Sequence, residues 1–180
     1  TAYTFTVTAA NSVGSSLASS VSNSVTPYTT PDAPSIGTAS VSGISGRASV
    51  SFSAPAFNGG AAITAYTVTS DPGGITASGA SSPITLNGLT NGTAYTFTVV
   101  ATNAAGNSTA SAASNSVTPY TVADAPSIGS ATAGISSASV SFSAPSSNGG
   151  SAITSYTVTS SPGGITASGA SSPITVSGLT

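Results

Sequence analysis

The strongest constraint on this chain is that it repeats itself. Tyr3, Asn11 and Gly14 recur as Tyr95, Asn103 and Gly106, and Val25-Thr26-Pro27 recurs as Val117-Thr118-Pro119, each at an offset of 92 residues. Asp32-Ala33-Pro34-Ser35-Ile36-Gly37 returns at Asp124 to Gly129 with the same offset, whereas Ser49 to Pro55 and Ser139 to Pro145 lie 90 apart. The two missing residues fall around Val41 to Arg47, where a loop shortens at little entropic cost. Solenoid units run to roughly 20–45 residues, so a period near ninety fits a small self-contained domain instead. One complete repeat is expected at 30–122, the last third of a preceding repeat at 1–29, and the first two-thirds of a following one at 123–180. Thr180 aligns with Thr90 and Thr1 with Thr93, as expected of a window on a longer array.

Within each repeat the apolar residues alternate with polar ones. Ala48-x-Val50-x-Phe52 places three apolar side chains on one face and Ser49, Ser51 and Ser53 on the other; Tyr66-x-Val68 and Tyr95-x-Phe97-x-Val99 do the same. Period two is the signature of a half-buried strand, and the intervening Thr suit an extended backbone. Asn58-Gly59-Gly60, Asp71-Pro72-Gly73-Gly74, Asn87-Gly88 and Asn91-Gly92 punctuate the runs with turn residues. Several short strands per ninety residues, with no sustained helical spacing, predict an all-β antiparallel sandwich.

Composition excludes several functions. The 180 residues include one cation, Arg47, and three Asp, with no His, Cys, Met or Trp, while Ser and Thr make up more than a third. A single cation cannot neutralise a run of phosphates or hold an anionic lipid surface, so neither nucleic acid nor membrane insertion is expected. No apolar run reaches the roughly 18 residues that span a bilayer. Without His, Glu, Lys or Cys the only available base is Asp. Asp32 and Asp124 occupy equivalent positions in successive repeats, and Asp71 is replaced by Ser161 in the next one. General acid–base pairs and nucleophile–base pairs are therefore missing, and no enzyme, catalytic residue, cofactor or metal site is expected. One Asp per junction also falls short of the six or more oxygen ligands of a calcium site; its expected role is to cap the turn before the first strand.

The run Leu86-Asn87-Gly88-Leu89-Thr90-Asn91-Gly92-Thr93-Ala94-Tyr95-Thr96-Phe97-Thr98-Val99 resembles strand E, the E–F loop and strand F of fibronectin type III domains. Tyr95 falls where that fold keeps its tyrosine corner. Ala33-Pro34 resembles the start of strand A, Ile63 to Val68 resembles strand C, and Ala101 to Gly106 resembles the end of strand F and the F–G loop. Phe52 and Phe142 stand where the family usually has a strand B Trp. The resemblance implies tandem seven-stranded sandwiches, end to end, with 1–29 supplying strands F and G and 123–180 supplying strands A–E. It also implies a core of Ile36, Val50, Phe52, Tyr66, Val68, Ile84, Leu86, Leu89, Tyr95, Phe97, Val99 and Val117.

Two junction aromatics, Tyr28 and Tyr120, are candidates either for stacking on sugar rings or for stiffening the joint between repeats. The short proline-bounded stretch Pro119 to Pro126 is expected to act as a stiff spacer. Asn91-Gly92-Thr93 and Asn107-Ser108-Thr109 match the glycosylation pattern, in a chain where chance matches are common. The near-neutral hydroxyl-rich surface favours sideways packing of copies. The functional expectation is therefore a structural repeat of an extracellular or cell-surface bacterial filament, sheath or stalk, whose partners are copies of itself and glycans. The alternative is an adhesin, spacer or carbohydrate-binding region of a large secreted protein or polysaccharide-degrading enzyme.

Overall fold

The computed structural model describes residues 1–180 and is all-β, without a helix. Its first seven strands are β1 (Ser35–Ser40), β2 (Ala48–Ser53), β3 (Ala65–Asp71), β4 (Thr76–Gly79), β5 (Ile84–Leu86), β6 (Thr96–Asn103) and β7 (Gly106–Asn107). They form two sheets, one ordered β1-β2-β5 and the other β4-β3-β6-β7. The remaining strands are β8 (Ser127–Gly134), β9 (Ser137–Ser143), β10 (Tyr156–Thr159), β11 (Thr166–Gly169) and β12 (Ile174–Ser177), in sheets β12-β9-β8 and β10-β11. The chain's contacts gather into two compact units. One comprises Thr1–Thr38, Val50–Ile84 and Phe97–Asn115; the other comprises Ala39–Ser49, Thr85–Thr96 and Ser116–Thr180.

In the first unit, the alternation of β2, β3 and β6 turns Val50, Phe52, Tyr66, Val68, Phe97 and Val99 inward, and all six are buried. The rings of Phe52 and Tyr66, from different sheets, stand 4.8 Å apart at an interplanar angle of 48°. That separation lies within the ~4.5–7 Å range of favourable aromatic pairs, so the two rings make a working contact between the sheets. In the second unit, Ala39, Ala48, Leu86, Leu89 and Tyr95 are buried, as are Val140, Ile174 and Val176. Ile36 and Val117, expected in the core, are only half-buried. Val117 forms an isolated bridge with Tyr95 outside any regular strand, and Ile36 sits near the start of β1, at the margin of its sheet.

The segment opposite β6 departs from a strand in an instructive way. Phe97, Val99 and Ala101 each receive a backbone hydrogen bond at their carbonyl, from Ser114, Ser111 and Ser108 respectively, at 2.8–2.9 Å. Their own N–H groups donate to the Oγ atoms of the same three serines at 2.9–3.0 Å. The β6 residues step by two while the serines step by three. Two strand residues advance about 6.8 Å, so three residues covering that distance rise only about 2.3 Å each, too tightly wound for a ladder of carbonyls. The serine hydroxyls supply the acceptors that the backbone cannot. Each hydroxyl then donates onward to the next residue's carbonyl, at 2.7–2.8 Å.

Residues 1–29 repeat this arrangement. Phe5, Val7 and Ala9 donate to the hydroxyls of Ser22, Ser19 and Ser16 at 3.0–3.1 Å. Serine plays a related part in strand pairing elsewhere. Ser51 Oγ accepts from the Thr38 N–H at 2.8 Å and donates to the Thr38 carbonyl at 3.0 Å, and Ser141 does the same for Ser130. A side chain on Gly37 or Gly129 would collide with these hydroxyls, which explains a glycine at each position.

Candidate interaction site

The candidate residues lie where the connecting segments meet the turns of the repeats, one set in each unit. In the first unit, the Thr29 N–H donates to the Gly59 carbonyl at 2.9 Å, and the Asp32 N–H donates to Phe57 at 3.0 Å. In the second, Thr121 bonds Gly149 at 2.8 Å and Asp124 bonds Ser147 at 3.0 Å, so the connection is built identically twice. The Asp124 carboxylate also accepts from the Ser146 hydroxyl at 2.9 Å, which ties it to the loop after β9 and not to the turn before β8 that it was expected to cap.

Asn103 is the residue the sequence reading passed over. It is 4% exposed, and its Nδ2 donates to the carbonyls of both Thr29 and Asn58 at 2.8 Å while its Oδ1 accepts from the Ala105 N–H at 2.8 Å. A buried amide with every group engaged holds three chain segments together, because leaving any one unpaired carries a desolvation penalty. Its recurrence as Asn11 was the one available signal; there Oδ1 accepts from Val13 and Gly14.

Tyr28 and Tyr120 occupy corresponding places in different units, and both are exposed. The Tyr120 ring lies over Gly43, with a ring carbon 3.2 Å from where a Cβ would stand, and Tyr28 borders Gly60. Beside Tyr120, the Gly92 N–H donates to the Pro119 carbonyl at 2.9 Å. Gly150 approaches so closely that a Cβ would stand 2.6 Å from the Gly92 nitrogen and 3.0 Å from that carbonyl. Glycine is required at 150 both for its φ of 86° and for this approach. The Tyr120 ring thus has one side against Gly43, whereas Tyr28 meets Gly60 only through its Cα and Cβ, and both side chains keep surface open to packing or to stacking.

Of the two glycosylation matches, the Asn91 side chain is committed within the fold. Its Oδ1 accepts from the Gly46 N–H at 2.9 Å and its Nδ2 donates to Ser45 Oγ at 2.9 Å. Asn107 is exposed and accepts from the Thr102 hydroxyl at 2.7 Å.

The expected tyrosine corner is present. Tyr95 is buried and its phenol oxygen accepts from the Thr90 N–H at 3.0 Å, closing the turn before β6.

Among curated proteins nothing matches the chain. Solved structures do match. The titin kinase with its flanking domains is 25% identical over 51% of this chain and 17% of its own length, with a TM-score of 0.45. The twitchin kinase region from C. elegans is 26% identical over 52% of this chain and 18% of its own, with a TM-score of 0.43. Titin module A71 from human cardiac muscle is 29% identical over 51% of this chain and 92% of its own, with a TM-score of 0.39. The chain therefore spans under a fifth of the first two structures. Residues 32–117 match the family model of the fibronectin type III domain, and since these residues hold the Tyr95 corner and the Phe52–Tyr66 contact, the central module is a β-sandwich of the fibronectin type III kind.

Proposed function

We propose that the chain is a non-catalytic structural repeat of an extracellular bacterial filament, sheath or stalk, whose copies associate sideways through uncharged Ser/Thr faces. The observation that carries this reading is the outer face of the β4-β3-β6-β7 sheet. Thr67, Thr69, Thr96 and Thr98 alternate with the buried residues of β3 and β6, and Thr76 and Ser78 stand exposed on β4. Thr67 and Ser78 are linked by a 2.8 Å hydroxyl contact, and Thr157 and Ser168 repeat the pair at 2.9 Å. Apart from Asp71 at the end of β3, such faces carry no charge to repel a copy, and they offer donors and acceptors in rows.

Lysine at Thr67 and Thr98 tests the proposal, since both side chains point away from the core. Wild-type assemblies seen by light scattering and electron microscopy should disperse in the double variant. Equal association with and without the lysines overturns it.

The alternative, a spacer or carbohydrate-binding region of a large secreted protein, is favoured by the exposure of Tyr28 and Tyr120. It predicts polysaccharide retention that is lost in Tyr28→Ala/Tyr120→Ala.

A further inference from the structure

The central repeat, poor as it is in charge, carries one charge on the outer face of each of its sheets. Arg47, the only Lys or Arg in the chain, directly precedes β2. The alternation that buries Ala48 and Val50 puts Arg47 in step with Ser49 and Ser51, on the outward side of the β1-β2-β5 sheet. There it lines a hollow of about 120 Å³ together with Ser40, Ser42, Ile44, Ser49 and Thr85. Arg47 is half-buried, and its guanidinium has no partner within the chain.

Asp71 belongs to the other sheet. It closes β3, where Tyr66, Val68 and Ser70 are buried and Thr67, Thr69 and Asp71 alternate with them outward. Its carboxylate is exposed and also lacks a partner within the chain. The two charges are present or absent together. In the following repeat Arg47 becomes Ser137 and Asp71 becomes Ser161, although Ala48 to Ser53 and Tyr66 to Ser70 recur unchanged as Ala138 to Ser143 and Tyr156 to Ser160. The other carboxylates behave differently: Asp32 recurs as Asp124, which is already bonded to Ser146 at 2.9 Å.

We propose that the Arg47 hollow of one copy receives the Asp71 carboxylate of a second copy, so that copies stack with unlike faces together, the β1-β2-β5 sheet of one against the β4-β3-β6-β7 sheet of the next. This pairing presupposes the sideways association proposed above and gives it a direction and a register. A guanidinium presents a planar fork of N–H donors that a carboxylate meets with both oxygens, and the hydroxyls around the hollow add further donors. Closing the hollow with an opposing Ser/Thr face withdraws the pair from water, where it is worth more than an exposed surface pair. Stacking like faces would turn like charges toward each other, which is penalised. Because the two faces differ, the contact is heterologous and extends from copy to copy.

Light scattering on the 180-residue polypeptide and its charge variants, over a concentration series, tests the proposal. Arg47→Asp and Asp71→Arg each leave charges of one sign on both faces, and each should weaken association about tenfold or more. Mixing the two variants, or combining both changes in one chain, brings opposite charges together again and should return association to near the wild-type level. That recovery also shows that the variants are folded. Association unchanged in both single variants overturns the proposal and leaves undirected sideways stacking standing. Weakening that neither mixing nor the double change rescues overturns it too. A wild-type chain that stays at 16.8 kDa at every concentration overturns both this pairing and the sideways reading. Retention on polygalacturonate that Arg47→Asp abolishes, with association unchanged, gives the hollow to an acidic sugar and overturns the pairing alone.

Discussion

Replacing Ser111 by Ala isolates the hydroxyl ladder. Ser111 is buried, and its Oγ is the acceptor 2.9 Å from the Val99 N–H, which lies in a residue with no exposed surface. Alanine removes that acceptor and water cannot reach the site. An unsatisfied buried donor costs about 1–3 kcal/mol. At roughly 4–8 °C per kcal/mol for a module of this size, a central value near 2 kcal/mol lowers the Tm by about 8–16 °C. The bond from the Ser111 hydroxyl to the Ala112 carbonyl is lost too, but Ala112 is exposed and water replaces it.

Two companions make the reasoning refutable. Ser111→Thr keeps the oxygen and should recover much of the loss. Ser19→Ala removes the same bond, at 3.1 Å, from an exposed segment, and should cost under about 0.5 kcal/mol when measured at dilutions where copies are single. Urea and thermal unfolding followed by tyrosine fluorescence read all three. If Ser111→Ala and Ser19→Ala cost the same, or if Ser111→Ala costs nothing because the segment rewinds into an ordinary strand, the argument is wrong.

Further predictions concern the core and the junction. Tyr95→Phe deprives the Thr90 N–H of its acceptor and should cost about 1 kcal/mol in urea unfolding, with no change of fold by circular dichroism. Phe52→Ala should cost about 3–5 kcal/mol; Phe142→Ala should cost much less, because Phe142 is half-exposed where Phe52 is buried. Gly150→Ala and Gly164→Ala both place alanine at positive φ, 86° and 62°, but only the former drives a Cβ into the Gly92 nitrogen. Hydrogen exchange at the Gly92 amide should therefore quicken in Gly150→Ala alone.

Much of the fold was readable beforehand because it rests on local rules. Phe97 and Val99 face inward for the same reason that Thr96 and Thr98 do not: successive side chains on a strand point to opposite faces whatever lies beside it. The turn glycines were equally plain, since a positive φ is a property of one residue. Ile36 and Val117 show where that logic stops. Alternation names the inward face but not whether a second layer covers it from both sides.

The site was less legible. Tyr28 and Tyr120 could be placed at junctions from the repeat alone, but Asn103 resembled any loop asparagine. Its role depends on Thr29, 74 residues away, and Asn58, 45 away, both brought to its amide by the tertiary fold. Ser108, Ser111 and Ser114 sat in full view at three-residue spacing, hidden by the abundance of serine around them. The sequence by itself determined the ninety-residue period, the strand faces and the near absence of charge, because each follows from residue identity and backbone periodicity. Only the tertiary structure decided which hydroxyl meets which N–H and which apolar residues are fully buried. Hydrogen-bond acceptors and burial are supplied by neighbours distant in the chain, and no local pattern specifies them.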